Sequence, residues 1–253
     1  MRGSELGPRG FGVFMRRFWA MLTPVMSERR AAFFDLDRTL VRVDTPRLYT
    51  RYRRAKGEAS WRDSLQVAWW VLQYTAGMID APRVARKALE DFAGKEESWL
   101  IKTCDEWFPQ YVLPEIQARG REIVKSHKEA GDLVAIVTAA TSYVAWPVAR
   151  ELGIDHVVCS ELEVEDGRFT GNVIEPLCYG EGKITRAAVL LDQHGIGFDK
   201  VTFFSDSITD LPLLAKVDVP VAVNPDRRLL RAARARGWQV IKACAARRRS
   251  QVP

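Results

Sequence analysis

From Arg30 onward, short apolar runs recur between charged residues and turn formers, each of strand rather than helix length. Ala31-Ala-Phe-Phe34 is the first. Leu133-Val-Ala-Ile-Val137, His156-Val-Val-Cys159, Lys200-Val-Thr-Phe-Phe204, Val219–Val223 and Trp238–Ile241 follow. The segments between them predict helices: from about Tyr143 to Leu152, from Gly182-Lys183 to about Gln193, near Asp210–Ala215, and over Asp226–Arg236. Glu161 to Ile174 alternates on both sides of Asp166-Gly167, which signals a hairpin. Strands alternating with helices imply an α/β fold with a mostly parallel sheet covered on both faces. Ligands on such sheets sit beyond the carboxyl ends of the strands, and Asp35, Thr138 and Asp206 all stand at such ends.

The stretch 46–128 has another texture. Trp61, Trp69, Trp70, Trp99 and Trp107 sit there among Tyr, Leu and basic residues at helical spacing, with Pro82, Pro109 and Pro114 as breaks between helices. It reads as a helical insert within a core formed by 30–45 and 129–242. Residues 1–29 read as a disordered extension and 243–253 as a basic tail.

Composition narrows the class. The chain has 253 residues, 47% hydrophobic and 28% charged, as an ordinary globular protein does. Its four cysteines form no CxxC pair, which favours reduced thiols and a cytoplasmic location. Its three histidines are scattered, so any metal is expected to be a hard cation on oxygen ligands rather than zinc. The net charge of +6 belongs to the ends: residues 1–30 set six Arg against Glu5 and Glu28, and 227–253 carry eight Arg, Lys242 and no acid. The central body is acidic on balance. Basic termini suggest a solvated helix face and tail, with peripheral contact to anionic lipid as a second reading. No nucleic-acid motif accompanies them. The apolar run from Phe11 to Met26 is split by Arg16 and Arg17 and ended by Pro24, too short to span a bilayer. An interfacial anchor there stays open as an alternative.

Two aspartate-bearing turns carry the candidate chemistry: Asp35-Leu36-Asp37-Arg38-Thr39 after the first strand and Ser205-Asp206-Ser207-Ile208-Thr209-Asp210 after a later one. Either turn alone reads as helix capping or solvation. Together with Thr138 after the second strand and Lys183 at a helix start, in this order, they resemble the four motifs of the haloacid dehalogenase-like (HAD) phosphatases over residues 30–242. The insert resembles the helical cap of the phosphoserine phosphatase-like branch. Ser205 to Leu214 and Val223 to Leu229 are similar to bacterial hydrolases of the histidinol-phosphatase or phosphoserine phosphatase-like group.

The resemblance implies a Rossmann-like doubly wound sheet with an inserted helical cap. It also implies a Mg²⁺-dependent phosphatase acting on a small phosphorylated metabolite. Asp35 would be the nucleophile that forms an aspartyl-phosphate, and Asp37 the general acid and base. Lys183 would neutralise charge, and Thr138 with the backbone N–H of Ala139 would bind phosphoryl oxygens. Asp35, the carbonyl of Asp37 and Asp206 would hold Mg²⁺, with Thr39 and Asp210 in support. Such help is needed: enzymes accelerate phosphate-monoester hydrolysis by up to ~10²¹-fold, whereas general acid–base catalysis contributes about 10²–10⁴.

Arg38 and Thr209 stand where the family favours Gly and Asn. Thr138-Ala-Ala-Thr141 replaces the Ser-Gly-Gly-Phe of phosphoserine phosphatases, which points away from phosphoserine, while acidic groups in the central body and cap suit the ammonium of an amino-alcohol phosphate such as histidinol phosphate. Alternatives are a phospholipid head-group phosphatase at a membrane surface, a phosphotransferase, or a non-catalytic binding protein on the same fold. Arg47, Tyr49, Trp61 and Trp69 are candidates for setting specificity.

Overall fold

Apolar runs flanked by helices fold here into one seven-stranded sheet. The structure, a computed structural model, describes residues 29–58 and 92–242. The expectations for the N-terminal extension, the basic tail, Trp61, Trp69, Trp70 and Pro82 lie outside those residues. The strands are β1 (Ala31–Phe34), β2 (Leu133–Thr141), β3 (His156–Glu165), β4 (Arg168–Ile174), β5 (Val201–Ser205), β6 (Val219–Val223) and β7 (Gln239–Ile241). Their spatial order is β4-β3-β2-β1-β5-β6-β7, parallel throughout except for the β3–β4 pair. The chain winds outward from β1 in both directions. The crevice beyond the carboxyl ends of β1 and β5 is therefore the switch point where doubly wound sheets place ligands.

β1 shows how the core is divided. All four of its residues are buried, and their side chains alternate between faces. Ala31 and Phe33 join Ala187, Leu190 and Leu191 of α5 (Glu181–His194), Leu213 and Leu214 of α6 (Leu211–Leu214), and Leu229 and Ala233 of α7 (Arg227–Arg236). Ala32 and Phe34 face the other layer. There Leu48 and Tyr52 of α1 (Thr45–Ala55), Leu100, Cys104 and Trp107 of α2 (Glu97–Trp107), Val124 of α3 (Ala118–Glu129) and Val148 of α4 (Ser142–Leu152) share one cluster. The rings of Phe34 and Phe204 stack at 4.6 Å, and His127 of α3 meets both edge-on. Thus the last helix in the 46–128 stretch lies against the sheet, while α1 and α2 precede it in that stretch.

Other details sharpen the sequence reading. The run at His156 and the first arm of the hairpin are one strand. β3 pairs parallel with β2 at its start and antiparallel with β4 at its end. Asp166 and Gly167 turn the hairpin with φ of 48° and 73°, left-handed values that suit a two-residue loop between twisted strands. Pro109 and Pro114 fall in the short turns Phe108–Val112 and Leu113–Glu115 that follow α2. Cys104, Cys159 and Cys178 are free and buried. Among the described residues, no helix is long and apolar enough to cross a membrane.

Candidate active site

The nucleophile candidate is fixed by the sheet itself. The Asp35 N–H donates to Phe204 O at 2.9 Å, which continues the β1–β5 pairing by one residue and sets Asp35 beside Ser205. The chain then folds back on itself, with the N–H groups of Leu40 and Val41 both donating to Leu36 O. Phe34 is level with Ile136 on β2, so Thr138 stands one residue beyond the level of Asp35 on the neighbouring strand. Thr138 is buried, and its hydroxyl oxygen accepts the Ala140 N–H at 3.1 Å. Ala139 is exposed at the end of the buried part of β2.

Lys183 enters from the far side in the first turn of α5. A Cβ at Gly182 would lie 1.9 Å from Leu177 O, so only glycine allows the helix to start this close to the preceding loop. Lys183 is 2% exposed, and its Nζ donates to Asp35 Oδ1 at 2.7 Å and to Asp210 Oδ2 at 2.8 Å. Asp210 also accepts the Ser205 hydroxyl at 2.7 Å. Three segments distant in sequence thus meet at one ammonium.

Asp206 is buried at the same rim, and its Oδ2 lies 3.4 Å from Arg38 Nε. Asp226 secures this loop. Its carboxylate accepts the N–H of Ile208 at 2.8 Å and caps α7 through the N–H groups of Arg228 and Leu229, while its own N–H donates to Asp206 O. Asp37 turns away from the ammonium to the start of α1, where it accepts the Thr45 N–H at 2.7 Å and the Thr45 hydroxyl at 3.2 Å. Thr39 is buried, but its hydroxyl has no hydrogen-bond partner among the described residues. Its carbonyl does the holding, by accepting Gln117 Nε2 at 2.7 Å.

Burial shapes the acid–base properties of the cluster. It is the main force pushing the Asp35 carboxyl up, to about 6, with Lys183 pulling down and Asp210 pushing up. Burial raises Asp37 to about 7, against the restraining Thr45 N–H and with help from the Asp35 charge. Asp206 is raised well above the usual carboxylate range by burial and then by Asp35, with Arg38 opposing. Burial pulls the Lys183 ammonium down, but Asp210 and Asp35 together outweigh it and leave its pKa above the ordinary lysine value.

The donor set suits a hard dication. Among the described residues, no group of three or more His, Cys, Asp or Glu side chains is arranged to hold a metal by itself. Asp35 and Asp206, both buried at the ends of neighbouring strands, offer only oxygen donors. That is what Mg²⁺ accepts when waters and substrate oxygens complete the octahedron.

Arg47 pairs with Asp44, and Tyr49 packs against Tyr52 and Trp107, so neither joins this cluster. A depression lined by Asp105, Phe108, Pro147, Arg150 and Glu151 contains none of these carboxylates. Gln117, Ser205 and Asp226 were not singled out from the sequence. Asn224-Pro225-Asp226 ahead of an amphipathic helix is a cap signal, but nothing in its spacing reveals the bond to Ile208.

The family model of haloacid dehalogenase-like hydrolases matches residues 32–215, which carry every site residue expected from the sequence, from Asp35 to Asp210. The chain belongs to this family. Among curated relatives, this hydrolase is 34% identical over 218 residues to a histidinol-phosphatase of Neisseria meningitidis, covering 84% of the chain and 98% of that protein. It is 32% identical over 221 residues to the phosphoserine phosphatase SerB1 of Mycobacterium tuberculosis, covering 86% and 72%. A solved structure of a protein of unknown function from Bordetella pertussis superposes with a TM-score of 0.77 at 32% identity, covering 86% of this chain and all of that one. The family and the two phosphatase-named relatives support the enzyme class expected from the sequence, a phosphoric monoester hydrolase.

Proposed function

We propose that this hydrolase is a Mg²⁺-dependent phosphatase that cleaves a small phosphomonoester through an aspartyl-phosphate on Asp35. The observation that carries the reading is the buried Lys183, bonded at once to Asp35 and Asp210 beside Asp206. Burying an ammonium this fully is costly unless its partners are fixed, and here they are the residues that phosphoryl transfer needs. The order of the two motif carboxyls also fits. Burial raises Asp35 to about 6 and Asp37 to about 7, and a carboxyl raised as Asp37 is suits a group that gives and takes a proton near neutral pH.

In the first step an Asp35 oxygen forms a bond to phosphorus as the bond to the alcohol oxygen breaks, and Asp37 passes its proton to that oxygen. In the second, Asp37 takes a proton from water as the water oxygen attacks phosphorus. Asp35 leaves as carboxylate and phosphate is released. The Thr138 hydroxyl and the Ala139 N–H hold phosphoryl oxygens, and Lys183 offsets the gathered negative charge. Asp35, the Asp37 carbonyl and Asp206 would hold Mg²⁺, which supplies Lewis-acid stabilisation of the phosphoryl oxygens. Asp210 orients Lys183.

The domain division belongs to the same reading: a helical cap over 46–128 and a core formed by 30–45 and 129–242, with the apolar side of α3 packed against the sheet. Buried free thiols fit a reducing compartment, and we place the enzyme in the cytoplasm. For the substrate, the Neisseria relative supports an amino-alcohol phosphate such as histidinol phosphate. A phospholipid head-group phosphate is the second reading, favoured by the exposed Arg227, Arg228, Arg231, Arg234 and Arg236 along α7.

A screen of phosphorylated metabolites and of lipid phosphates in vesicles, each with Mg²⁺ or EDTA, tests the assignment. Release of phosphate from one soluble class that EDTA abolishes is the expected result. Asp35→Asn is expected to abolish turnover with the fold intact. Turnover retained in that variant rejects the nucleophile, and a stable wild-type protein that hydrolyses nothing favours the binding-protein alternative.

A further inference from the structure

Position 38 is built for a purpose that a turn alone does not require. Arg38 has φ of 60°, the left-handed conformation that glycine adopts freely and a long side chain does not. The conformation is held from outside the loop. Gln117, 5% exposed, donates through Nε2 to the Arg38 carbonyl at 3.2 Å and to the Thr39 carbonyl at 2.7 Å. Asn224 Nδ2 approaches the same Arg38 carbonyl at 3.5 Å and Gln117 Oε1 at 3.4 Å. Asn224 is itself left-handed, at φ of 43°. Amides from the segment before α3 and the end of β6 therefore fix the turn, and the turn aims the guanidinium at Asp206 Oδ2, 3.4 Å from Nε.

We propose that Arg38 is a tethered cation that competes with the divalent ion for Asp206 and thereby sets how tightly this enzyme holds its metal. The inference rests on the reading of Asp206 as a metal ligand. An Arg guanidinium stays charged at every working pH, so the competition is permanent. Asp206 is buried among Asp35, Asp37 and Asp210, whose charges all act on it, and Arg38 is the opposing positive charge. A dication arriving at the same carboxylate meets a fixed positive neighbour and must displace its share of the interaction.

A unit charge 3.4 Å from a ligand carboxylate acts on an arriving cation by roughly five- to a thousand-fold in affinity, from water-like to protein-surface screening. The Arg38 side chain is 38% exposed, so solvent screening puts the effect at the low end. Removing the charge is expected to tighten divalent binding by about tenfold.

The test is calorimetric titration of the full-length protein with Mg²⁺ and no substrate. Arg38→Gln keeps a long side chain and the same backbone demand while removing the charge; Arg38→Lys keeps the charge. The expected result is about tenfold tighter Mg²⁺ binding in Arg38→Gln and binding within about twofold of wild type in Arg38→Lys. A gain in affinity is not what damage to the loop produces, since a disordered loop binds an ion more weakly. Unchanged or weaker binding in Arg38→Gln overturns the proposal, as does equal tightening in both variants, which would assign the effect to shape. Asp206→Asn separates the two readings. If it binds Mg²⁺ as wild type does, the metal assignment fails and the inference with it. If it loses binding while Arg38→Gln matches wild type, only the inference fails.

Discussion

Replacing Lys183 by Met keeps most of the side-chain volume and removes the charge, leaving Asp35 and Asp210 facing each other without their shared donor. Lys183 is 2% exposed, and the Asp210 side chain is 3% exposed, so water does not replace the lost bonds at once. Breaking a buried ion pair by removing one partner costs about 3–5 kcal/mol, and that is the expected loss at pH 8. The loss should depend on pH in a definite direction. With the ammonium gone, the folded-state pKa of Asp35 rises further above its ordinary value, because Lys183 is the group pulling it down against burial. A carboxyl whose folded pKa lies above its unfolded one is penalised most where both states are ionised, and not at all below the unfolded pKa. The destabilisation of Lys183→Met should therefore be full near pH 8 and shrink as Asp35 protonates towards pH 5. Urea unfolding at both pH values, in EDTA, measures this. At about 2–4 °C per kcal/mol for a domain of this size, the melting temperature at pH 8 should fall by roughly 6–20 °C. A small loss, under about 1 kcal/mol and equal at both pH values, would show that the bridge does not organise the site.

Two further perturbations separate the roles of neighbouring residues. Asp37→Asn should slow hydrolysis of alkyl phosphates severely while leaving Mg²⁺ affinity within a few-fold by calorimetry, since the carbonyl remains; a large loss of affinity would contradict the acid–base role. In the wild type, the first step on such substrates should weaken as pH rises through about 7 and Asp37 loses its proton. Rapid-mixing phosphorylation kinetics would show this, and a nitrophenyl phosphate, whose leaving group needs no proton, should not follow the same fall. Asp226→Ala removes the cap of α7 and the acceptor for the Ile208 N–H, with an expected cost of about 1–3 kcal/mol. If Asp226 also positions Asp206, metal affinity should fall beyond what stability explains; melting and calorimetry on the same preparation decide it.

Much of the fold was legible because its signals are local. Ala31–Phe34, Val219–Val223 and the Asp166-Gly167 turn could each be read from a handful of consecutive residues. The strand at His156 was harder. Its two halves differ in partner, and an alternation that changes from buried on both faces to one-sided looks like two elements when read along the chain. α3 falls within the 46–128 stretch because its amphipathic pattern does not say what the apolar side meets. Contacts far apart in sequence place it on the sheet: Val124 in the cluster of Ala32 and Phe34, and His127 against Phe34 and Phe204. The carboxylates and Lys183 stood out because their order along the chain resembles the four motifs of the haloacid dehalogenase-like family. Gln117, Asn224 and Asp226 did not, since their work is done by bonds to main-chain carbonyls and N–H groups. Such bonds leave no periodicity, and any polar residue of the right reach would serve.

These supporting groups explain how the site tolerates its own electrostatics. Asp35, Asp206 and Asp210 are buried within reach of one another's charge, with one fully buried ammonium and one partly exposed guanidinium against them. Left to relax, carboxylates so placed would separate or take up protons. They are prevented from separating because each is anchored to an element that cannot move alone: Asp35 to the β1–β5 pairing, Asp210 to Ser205, and the Asp206 carbonyl to Asp226 at the head of α7. The sheet and its capped helices thus supply the rigidity, and the excess of negative charge at the switch point is what a divalent ion and Lys183 together are suited to balance. On this account stability and metal affinity are opposed at Asp206, whose carboxyl is pushed up by burial and by Asp35, so Asp206→Asn should raise the melting temperature in EDTA and weaken Mg²⁺ binding by calorimetry.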